Sequence, residues 1–207
     1  MRYKKINNTL FEKNRSDFTE KMDDKSLAIF NSNDLMPKNA DQEMSFKQNS
    51  DLFYLCGVDQ EETILMLVKV NNIITEHLFI RETNEHIKVW EGEKLSKKEA
   101  SEISRINEVR WSNDFKSLFY NYMKMANTIY LNSNEHPRAN IVVESRDARF
   151  KKWFQNKFPN TIIKKASEIL YPIRAIKKDL EIDLIKKACS ITSLGVNRVL
   201  KFLTPGV

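Results

Sequence analysis

The chain has 207 residues, of which 41% are hydrophobic and 30% charged, and its 34 basic and 28 acidic side chains give a formal net charge of +6. This composition predicts one large folded domain, or one domain and part of another, and argues against intrinsic disorder. Lysines and arginines are spread along the chain and mostly have acidic neighbours, so the basic excess favours a solvated lysine-rich surface over a nucleic-acid site.

The sequence carries no sign of a membrane span or a leader peptide. No apolar segment approaches the roughly 20 residues that cross a bilayer, and the first ten residues lack the apolar core of a signal peptide. The two cysteines, Cys56 and Cys189, each lie within an apolar pattern. We therefore expect two buried, reduced thiols in a cytoplasmic protein, with a disulfide or a reactive thiol as the alternatives.

The first 45 residues predict a helix, a strand and a long loop. Asn8 and Thr9, followed by Glu12 and by apolar residues at helical spacing, predict a surface helix with a capping box. Residues 26–30 predict a short buried strand, and residues 31–45 predict a long loop. Long loops inside a compact domain are often functional.

Two apolar runs follow the loop. The first, residues 52–56, ends at Gly57, and the second covers residues 63–70 after an acidic turn. This pattern predicts two buried central strands joined by a short turn. The polar residues 49–51 are expected to fix the entry of the first strand by side-chain to backbone hydrogen bonds.

The next segment predicts the end of a sheet meander and two helical pieces. Asn71 and Asn72 tolerate positive φ and supply a turn, and residues 76–81 predict the third strand of the meander. Residues 83–92 then predict a short helical or irregular piece, and residues 96–104 predict a further helix.

A regular alternation of strands and helices fills the next fifty residues. The predicted strands are residues 109–111, 128–131 and 161–163, and the predicted helices between them are residues 113–125 and 141–158. Such alternation favours parallel strands with helices packed on their faces. The first domain is therefore predicted to be α/β, with a mixed β-sheet flanked by helices.

One long amphipathic helix is predicted at the end of the sequence. Tyr171-Pro172 interrupts the preceding pattern, and Asp179 opens a series of apolar residues at i, i+3 and i+4 spacing that continues to Pro205-Gly206. A helix with this pattern buries its apolar stripe against another layer of structure. We expect it to be the first helix of a second domain.

The sequence offers few groups that could carry chemistry. Of the three histidines, His77, His86 and His136, only His86 has a possible partner ligand, Glu82, at i, i+4 spacing, and such a pair is half a metal site or a solvated surface pair. The sequence has no Gly-x-Ser-x-Gly elbow and no phosphate-binding glycine loop, and neither cysteine has a nearby histidine or basic cluster that would lower its pKa. We predict that this chain holds no catalytic residue and no metal ligand of its own.

Four segments resemble one known family. Residues 46–57, FKQNSDLFYLCG, closely resemble the R-Q-N-S-D-F-x-Y-L-T-G signature in the N-terminal domain of Xaa-Pro aminopeptidases, within the creatinase/prolidase group of two-metal peptidases. Residues 40–43 resemble the A-D-x-E that precedes this signature in the family. Within the signature, Lys47 replaces the usual arginine. Residues 81–92 resemble the family's R-D…E-x-W-x-G stretch, and residues 173–188 its R-x-I-K-x-x-x-E-I-x-x-I-x-x-A pattern.

The resemblance implies a division into two parts. Residues 1–172 would form a creatinase/prolidase N-terminal domain with a ribonuclease H-like motif, and residues 173–207 would be the linker and first long helix of a truncated pita-bread catalytic domain. In the family, the metal ligands and catalytic histidines belong to the catalytic domain, and they would lie beyond Val207. The full-length enzyme would use two divalent ions, taken here as manganese, and this segment would bind none.

The resemblance also implies an activity. The full-length protein would remove the N-terminal residue that precedes proline, while this segment would be inactive alone, shape substrate access and build a homo-oligomer. In relatives, the tryptophan that corresponds to Trp90 is lent to a neighbouring active site as a hydrophobic wall, and the aspartate that corresponds to Asp41 lies near the active-site mouth. The residues alone leave Trp90 open as a core or dimer-interface aromatic and Asp41 as a loop or cap residue; Trp111 and Trp153 are expected to pack.

Two alternatives remain open at this stage. Within the same family, the chain could come from a prolidase or a creatinase. From another class, it could be a stand-alone interaction domain whose basic surface binds a partner. The partners that the main hypothesis implies are peptides with proline at the second position and further copies of the same chain, with no nucleic acid and no membrane.

Overall fold

A six-stranded mixed sheet runs through the part of the chain that the computed structural model describes, residues 5–133 and 142–206. A small separate hairpin is formed by β2 and β3. The strands are β1 (Ser26–Asn31), β2 (Pro37–Asn39), β3 (Gln42–Glu43), β4 (Ile64–Val70), β5 (Ile73–Ile80), β6 (Glu108–Trp111), β7 (Thr128–Leu131) and β8 (Ile162–Lys165).

The strand order in the large sheet is β6-β5-β4-β1-β7-β8. β4 is antiparallel to both β1 and β5, whereas the pairs β5 and β6, β1 and β7, and β7 and β8 are parallel. The carboxyl ends of β1, β5, β6, β7 and β8 therefore meet at one edge. The β4–β5 turn passes through Asn71 and Asn72 with φ of 53° and 60°, as their side chains predicted.

Helices pack on both faces of this sheet. Ala28 and Phe30 of β1 belong to one hydrophobic cluster, and Leu27 and Ile29 belong to a second cluster on the opposite face, because successive strand residues point to opposite sides. The helices of the described chain are α1 (Thr9–Glu20), α2 (Ser50–Cys56), α3 (Glu85–Glu91), α4 (Lys97–Ser104), α5 (Phe115–Met123), α6 (Arg146–Lys157), α7 (Ser167–Ala175) and α8 (Asp179–Phe202).

The predicted fold class is confirmed, and one central element is corrected. Residues 52–56 lie in helix α2 and not in a strand. The Asn49 side chain accepts hydrogen bonds from the backbone N–H groups of Asp51 and Leu52, at 3.0 and 3.2 Å, and so caps the helix. Gly57 ends it with φ of 71°. The predicted three-strand meander is therefore wrong, since its first member is a helix.

Two helix ends also differ from expectation. The predicted capping box at Thr9 and Glu12 is absent, and Asn7 accepts hydrogen bonds from the backbone N–H and hydroxyl of Thr9 instead. The helix buries Phe18 completely, so it is a core helix with one solvated face. Tyr171-Pro172 was expected to interrupt the preceding pattern, but both residues lie inside α7. A proline inside a helix removes one backbone hydrogen bond and here does not end the helix.

Two further expectations need correction or fall outside the structure. Cys56 is buried, and burial raises the pKa of its thiol to about 12, but Cys189 is exposed on α8 because the face of the helix that carries it is uncovered. The predicted helix over residues 141–158 begins at Arg146. His136 lies outside the described residues.

Candidate functional site

The signature residues of α2 contact the last turn of α7 and the segment that follows it. Arg174 donates a hydrogen bond to the Asp51 carboxylate, and its guanidinium carbon lies 5.1 Å from the centroid of the Tyr54 ring. Lys178 donates to the Tyr54 hydroxyl at 3.3 Å, and its ammonium lies 5.6 Å from the same centroid. Tyr54 thus contacts two cations through its ring.

Helix α1 supplies the other partners of Lys178. The Lys178 ammonium donates to the side-chain oxygen of Asn14 at 2.6 Å and lies 3.0 Å from the Asp17 carboxylate. Burial opposes the charged form of Lys178, but its hydrogen bonds to Asp17 and Tyr54 outweigh burial and raise its pKa. We name these residues the junction cluster: Asn14, Asp17, Asp51, Tyr54, Arg174 and Lys178.

The junction cluster sets the start of α8. The backbone N–H of Lys178 donates to the Glu181 carboxylate at 3.0 Å, which is half of a capping box for the first turn of the helix. Arg174 and Lys178 both lie within residues 173–188, the last of the family-like segments. The two family-like segments, far apart in sequence, therefore fasten the long helix to the α/β body.

Beyond its first turn, α8 is uncovered. The helix has 24 residues and none of them is buried. Its exposed apolar side chains reach 64% for Ile191, 68% for Leu194 and 70% for Phe202. An apolar surface of this length marks an interaction face. No helix in the described part of the chain, α8 included, is long and apolar enough to cross a membrane.

Trp90 lies on the outer surface of α3. Its side chain is 76% exposed, which excludes the core interpretation and leaves those of an interface or a substrate wall. The Asn84 side chain caps α3 by accepting from the N–H of Ile87 at 2.9 Å, and the helix buries no residue. A short helix with so little buried surface and a protruding tryptophan is suited to contact another chain.

Asp41 is exposed in the turn between β2 and β3, so the structure places it and Trp90 on separate elements. Glu82 precedes α3 and does not share a helix face with His86, which corrects the possible metal pair. Within residues 5–133 and 142–206, no group of three or more His, Cys, Asp or Glu side chains could hold a metal ion. The residues described therefore do not fit a two-metal centre.

The two remaining tryptophans pack as expected. Trp111 is partly buried against one hydrophobic cluster, with the Lys97 ammonium 4.5 Å from its ring centroid. Trp153 contacts Phe150, with ring centroids 5.3 Å apart, and Phe119, at 5.9 Å. Both residues stabilise the domain core.

Asp147, in the first turn of α6, is a buried carboxyl at the edge where β1 and β7 end. One of its oxygens accepts hydrogen bonds from the backbone N–H of Asn31 at 3.2 Å and from the Asn31 side chain at 2.8 Å. Burial raises the pKa of Asp147 from 3.8 to about 6, although these hydrogen bonds oppose the shift. The folded state therefore binds this proton more tightly than the unfolded state does.

The contribution of Asp147 to stability is expected to fall as the pH rises from about 4 through about 6, because a raised carboxyl pKa favours the protonated folded form. A gap of about 2 pKa units corresponds to about 3 kcal/mol. Asp147→Asn removes this titration. The free energy of unfolding of the variant, relative to wild type, is expected to increase by about 2 kcal/mol between roughly pH 4 and pH 7. Urea unfolding at both pH values measures it, and a pH-independent difference would contradict it.

Residues 11–130, more than half of the chain, match the family described as aminopeptidase P, N-terminal domain. The chain belongs to this aminopeptidase P family. Over 200 residues it is 24% identical to the Xaa-Pro aminopeptidase of Escherichia coli K12, and this alignment covers 95% of the chain and 45% of the Escherichia coli protein. The Haemophilus influenzae Xaa-Pro aminopeptidase is 23% identical over 195 residues, and this alignment covers 94% of the chain and 43% of that protein.

Solved structures of aminopeptidase P share the fold. A structure assigned as an aminopeptidase P from Bacillus anthracis superposes with a TM-score of 0.87 at 27% identity, over 95% of this chain and 47% of that chain. A zinc-substituted Escherichia coli aminopeptidase P in complex with product gives a TM-score of 0.80 at 22% identity, over 98% and 47%. The chain thus spans less than half the length of these relatives.

Sequence reasoning singled out Trp90 and Asp41 and missed the junction cluster. Asp51 and Arg174 are separated by 123 positions, so no local pattern reports their contact. One signal was available, because Asp51 and Tyr54 lie in one aminopeptidase P-like segment, residues 46–57, while Arg174 and Lys178 lie in another, residues 173–188. An acidic or aromatic residue in one such segment and a basic residue in the other are candidates for a contact between the two segments.

Proposed function

We propose that the chain is the N-terminal, non-catalytic domain of a two-metal Xaa-Pro aminopeptidase, whose full-length form removes the N-terminal residue that precedes proline. Family membership supports the activity, and the relatives named Xaa-Pro aminopeptidase are about twice as long as this chain. The observation that carries the division of roles is the apolar face of α8, which the α/β body does not cover. Residues 1–172 would form the domain, and residues 173–207 would lead into the catalytic domain.

The metal ligands would belong to the proposed catalytic domain. Two divalent ions, with manganese as the first candidate, would bind there. The protein would act in the cytoplasm on peptides with proline at the second position. The segment described here would build a homo-oligomer and shape substrate access, with Trp90 as a hydrophobic wall for substrate in a neighbouring subunit's active site and Asp41 as a polar group at the substrate entrance.

A peptidase assay tests this assignment. The protein translated from the complete reading frame is expected to cleave Arg-Pro-Pro in the presence of Mn²⁺ and to lose this activity with a chelator, whereas the 207-residue chain is expected to be inactive. Chelator-sensitive cleavage by the 207-residue chain would refute the assignment of roles. Cleavage of Gly-Pro but not of Arg-Pro-Pro by the complete protein would point to a prolidase-type relative.

Replacement of Trp90 tests its proposed role. Trp90→Ala is expected to lower kcat/KM of the complete protein by about tenfold or more, because it removes a large aromatic contact at an interface. The same change is expected to alter the unfolding free energy of the chain by less than about 0.5 kcal/mol, because the side chain is 76% exposed. Kinetics and urea unfolding measure the two effects. Unchanged kinetics together with an unchanged oligomeric state would contradict the role.

A further inference from the structure

A crevice of about 660 Å³ opens at the edge of the sheet where β1 and β6 end. One side is formed by α6, which contributes Arg146, Phe150 and Trp153, and the other by the segment after β6, which contributes Asn113 and Lys116. The crevice is separate from the junction cluster and from Trp90. It also lies outside every segment that carries the family resemblance.

Positive charge dominates the crevice. Three cations line it, Lys116, Arg146 and Arg149, against one carboxylate, that of Glu62. Arg149 is already paired, since its guanidinium lies 2.7 Å from the Asp34 carboxylate. The other two cations, Lys116 and Arg146, form no such ion pair with a described carboxylate.

Arg146 is the group that most needs a counter-charge. Its guanidinium donates to the Ser32 hydroxyl at 2.8 Å, and no carboxylate of the described residues lies within the 4.0 Å ion-pair distance. The neighbouring Asp147 directs its carboxylate to Asn31 instead. Burial lowers the pKa of Arg146, although the negative charges of Asp34, Glu62 and Asp147 oppose this shift. A half-buried arginine that forms no ion pair with a described carboxylate can take an external anion as its partner.

The α6 side of the crevice, which carries Arg146, is also aromatic. Phe150 and Trp153 are both partly buried against the hydrophobic cluster, with ring centroids 5.3 Å apart, and each presents part of its ring to the crevice. Sites for small molecules combine such apolar walls with a few polar groups that fix orientation. The crevice thus offers a charged end and an apolar side to one ligand.

We propose that this crevice binds a small organic anion, with a carboxylate or phosphate head beside Arg146 and a flat apolar body against Phe150 and Trp153. The inference does not depend on the proposed peptidase function. Carboxylate and phosphate present similar oxygen acceptors to a guanidinium, so the head group is decided by experiment.

Three probes test the site on the 207-residue chain: phenyl phosphate, phenylacetate and benzyl alcohol, each titrated to about 10 mM and followed by NMR chemical shifts. At least one anion is expected to bind saturably, and about tenfold more tightly than the neutral alcohol. The stronger anion identifies the head group. Equal binding of benzyl alcohol, or no saturable binding of either anion, would overturn the proposal.

Matched variants locate the binding. Arg146→Gln is expected to lower the affinity for the anion by about tenfold or more. Lys157→Gln removes the same positive charge at the exposed end of α6 and is expected to leave the affinity unchanged. Lys116→Gln, on the exposed opposite side, provides a second test if Arg146→Gln fails to fold, with an expected loss of about threefold. Equal binding by wild type, the Lys116 variant and any folded Arg146 variant would contradict the site.

Discussion

Gly57→Ala is expected to destabilise the chain by about 2–4 kcal/mol. Gly57 has φ of 71°, and a Cβ atom added there would lie 2.2 to 2.7 Å from three ring carbons of Phe11. The left-handed backbone alone costs an alanine about 1 kcal/mol, and the rest arises because Phe11, only 3% exposed, cannot move away freely. This close approach explains why a glycine ends α2.

A double-mutant cycle separates the two causes. In a Phe11→Ala background the ring is gone, so the further change Gly57→Ala is expected to cost only about 1 kcal/mol. Urea unfolding of the wild type, the two single variants and the double variant gives the coupling free energy. An equal cost of the glycine change in both backgrounds would show that the contact with Phe11 is not responsible.

Arg15→Ala is expected to destabilise the chain by about 3–5 kcal/mol. Arg15 is completely buried, and its guanidinium bonds to the Glu76 carboxylate at 2.9 Å and to the backbone carbonyl oxygens of Leu55 and Ser104, each at 2.9 Å. Removal of the guanidinium leaves three acceptors without their donor. Two buried carbonyl groups would lose their hydrogen-bond donor and the partly exposed Glu76 carboxylate its counter-ion, and this loss costs more than the ion pair itself contributes.

The matched control is an exposed ion pair on the same helix. Lys13→Ala breaks a pair with Asp17 of 3.1 Å, at i, i+4 spacing, in which the lysine side chain is 64% exposed. Its expected cost is at most about 0.5 kcal/mol. Urea unfolding compares the two variants. A loss below about 1 kcal/mol for Arg15→Ala would contradict the role assigned to the buried guanidinium.

The sequence predicts most of the sheet because strand pairs and helices leave local periodic patterns. The alternation from residue 109 onward gives parallel strands, and Asn71 and Asn72 give a hairpin turn, as observed. The strand predicted over residues 52–56 is wrong because five consecutive apolar residues suit a buried strand and a short buried helix equally. The distinguishing signal was Asn49, a helix cap that was interpreted as the entry to a strand.

Long-range contacts of polar groups could not be predicted. Arg15 and Glu76 are 61 positions apart and Asp51 and Arg174 are 123 apart, so neither pair belongs to one helix turn or one strand pair. The exposure of Cys189 was missed for a related reason. An amphipathic pattern predicts that a face is to be buried, but it does not say that the covering layer lies within the same segment.

Hydrogen exchange along α8 tests most directly whether this helix is made to be covered by a further layer of protein. In the 207-residue chain, the amides after the first turn are expected to exchange within about tenfold of an open helix, since no side chain of α8 is buried. In the protein translated from the complete reading frame, the same amides are expected to be protected by at least about a thousandfold. Equally fast exchange in both proteins, or strong protection of α8 in a monomeric chain whose reading frame ends at Val207, would contradict the proposed division between a docking domain and a catalytic domain.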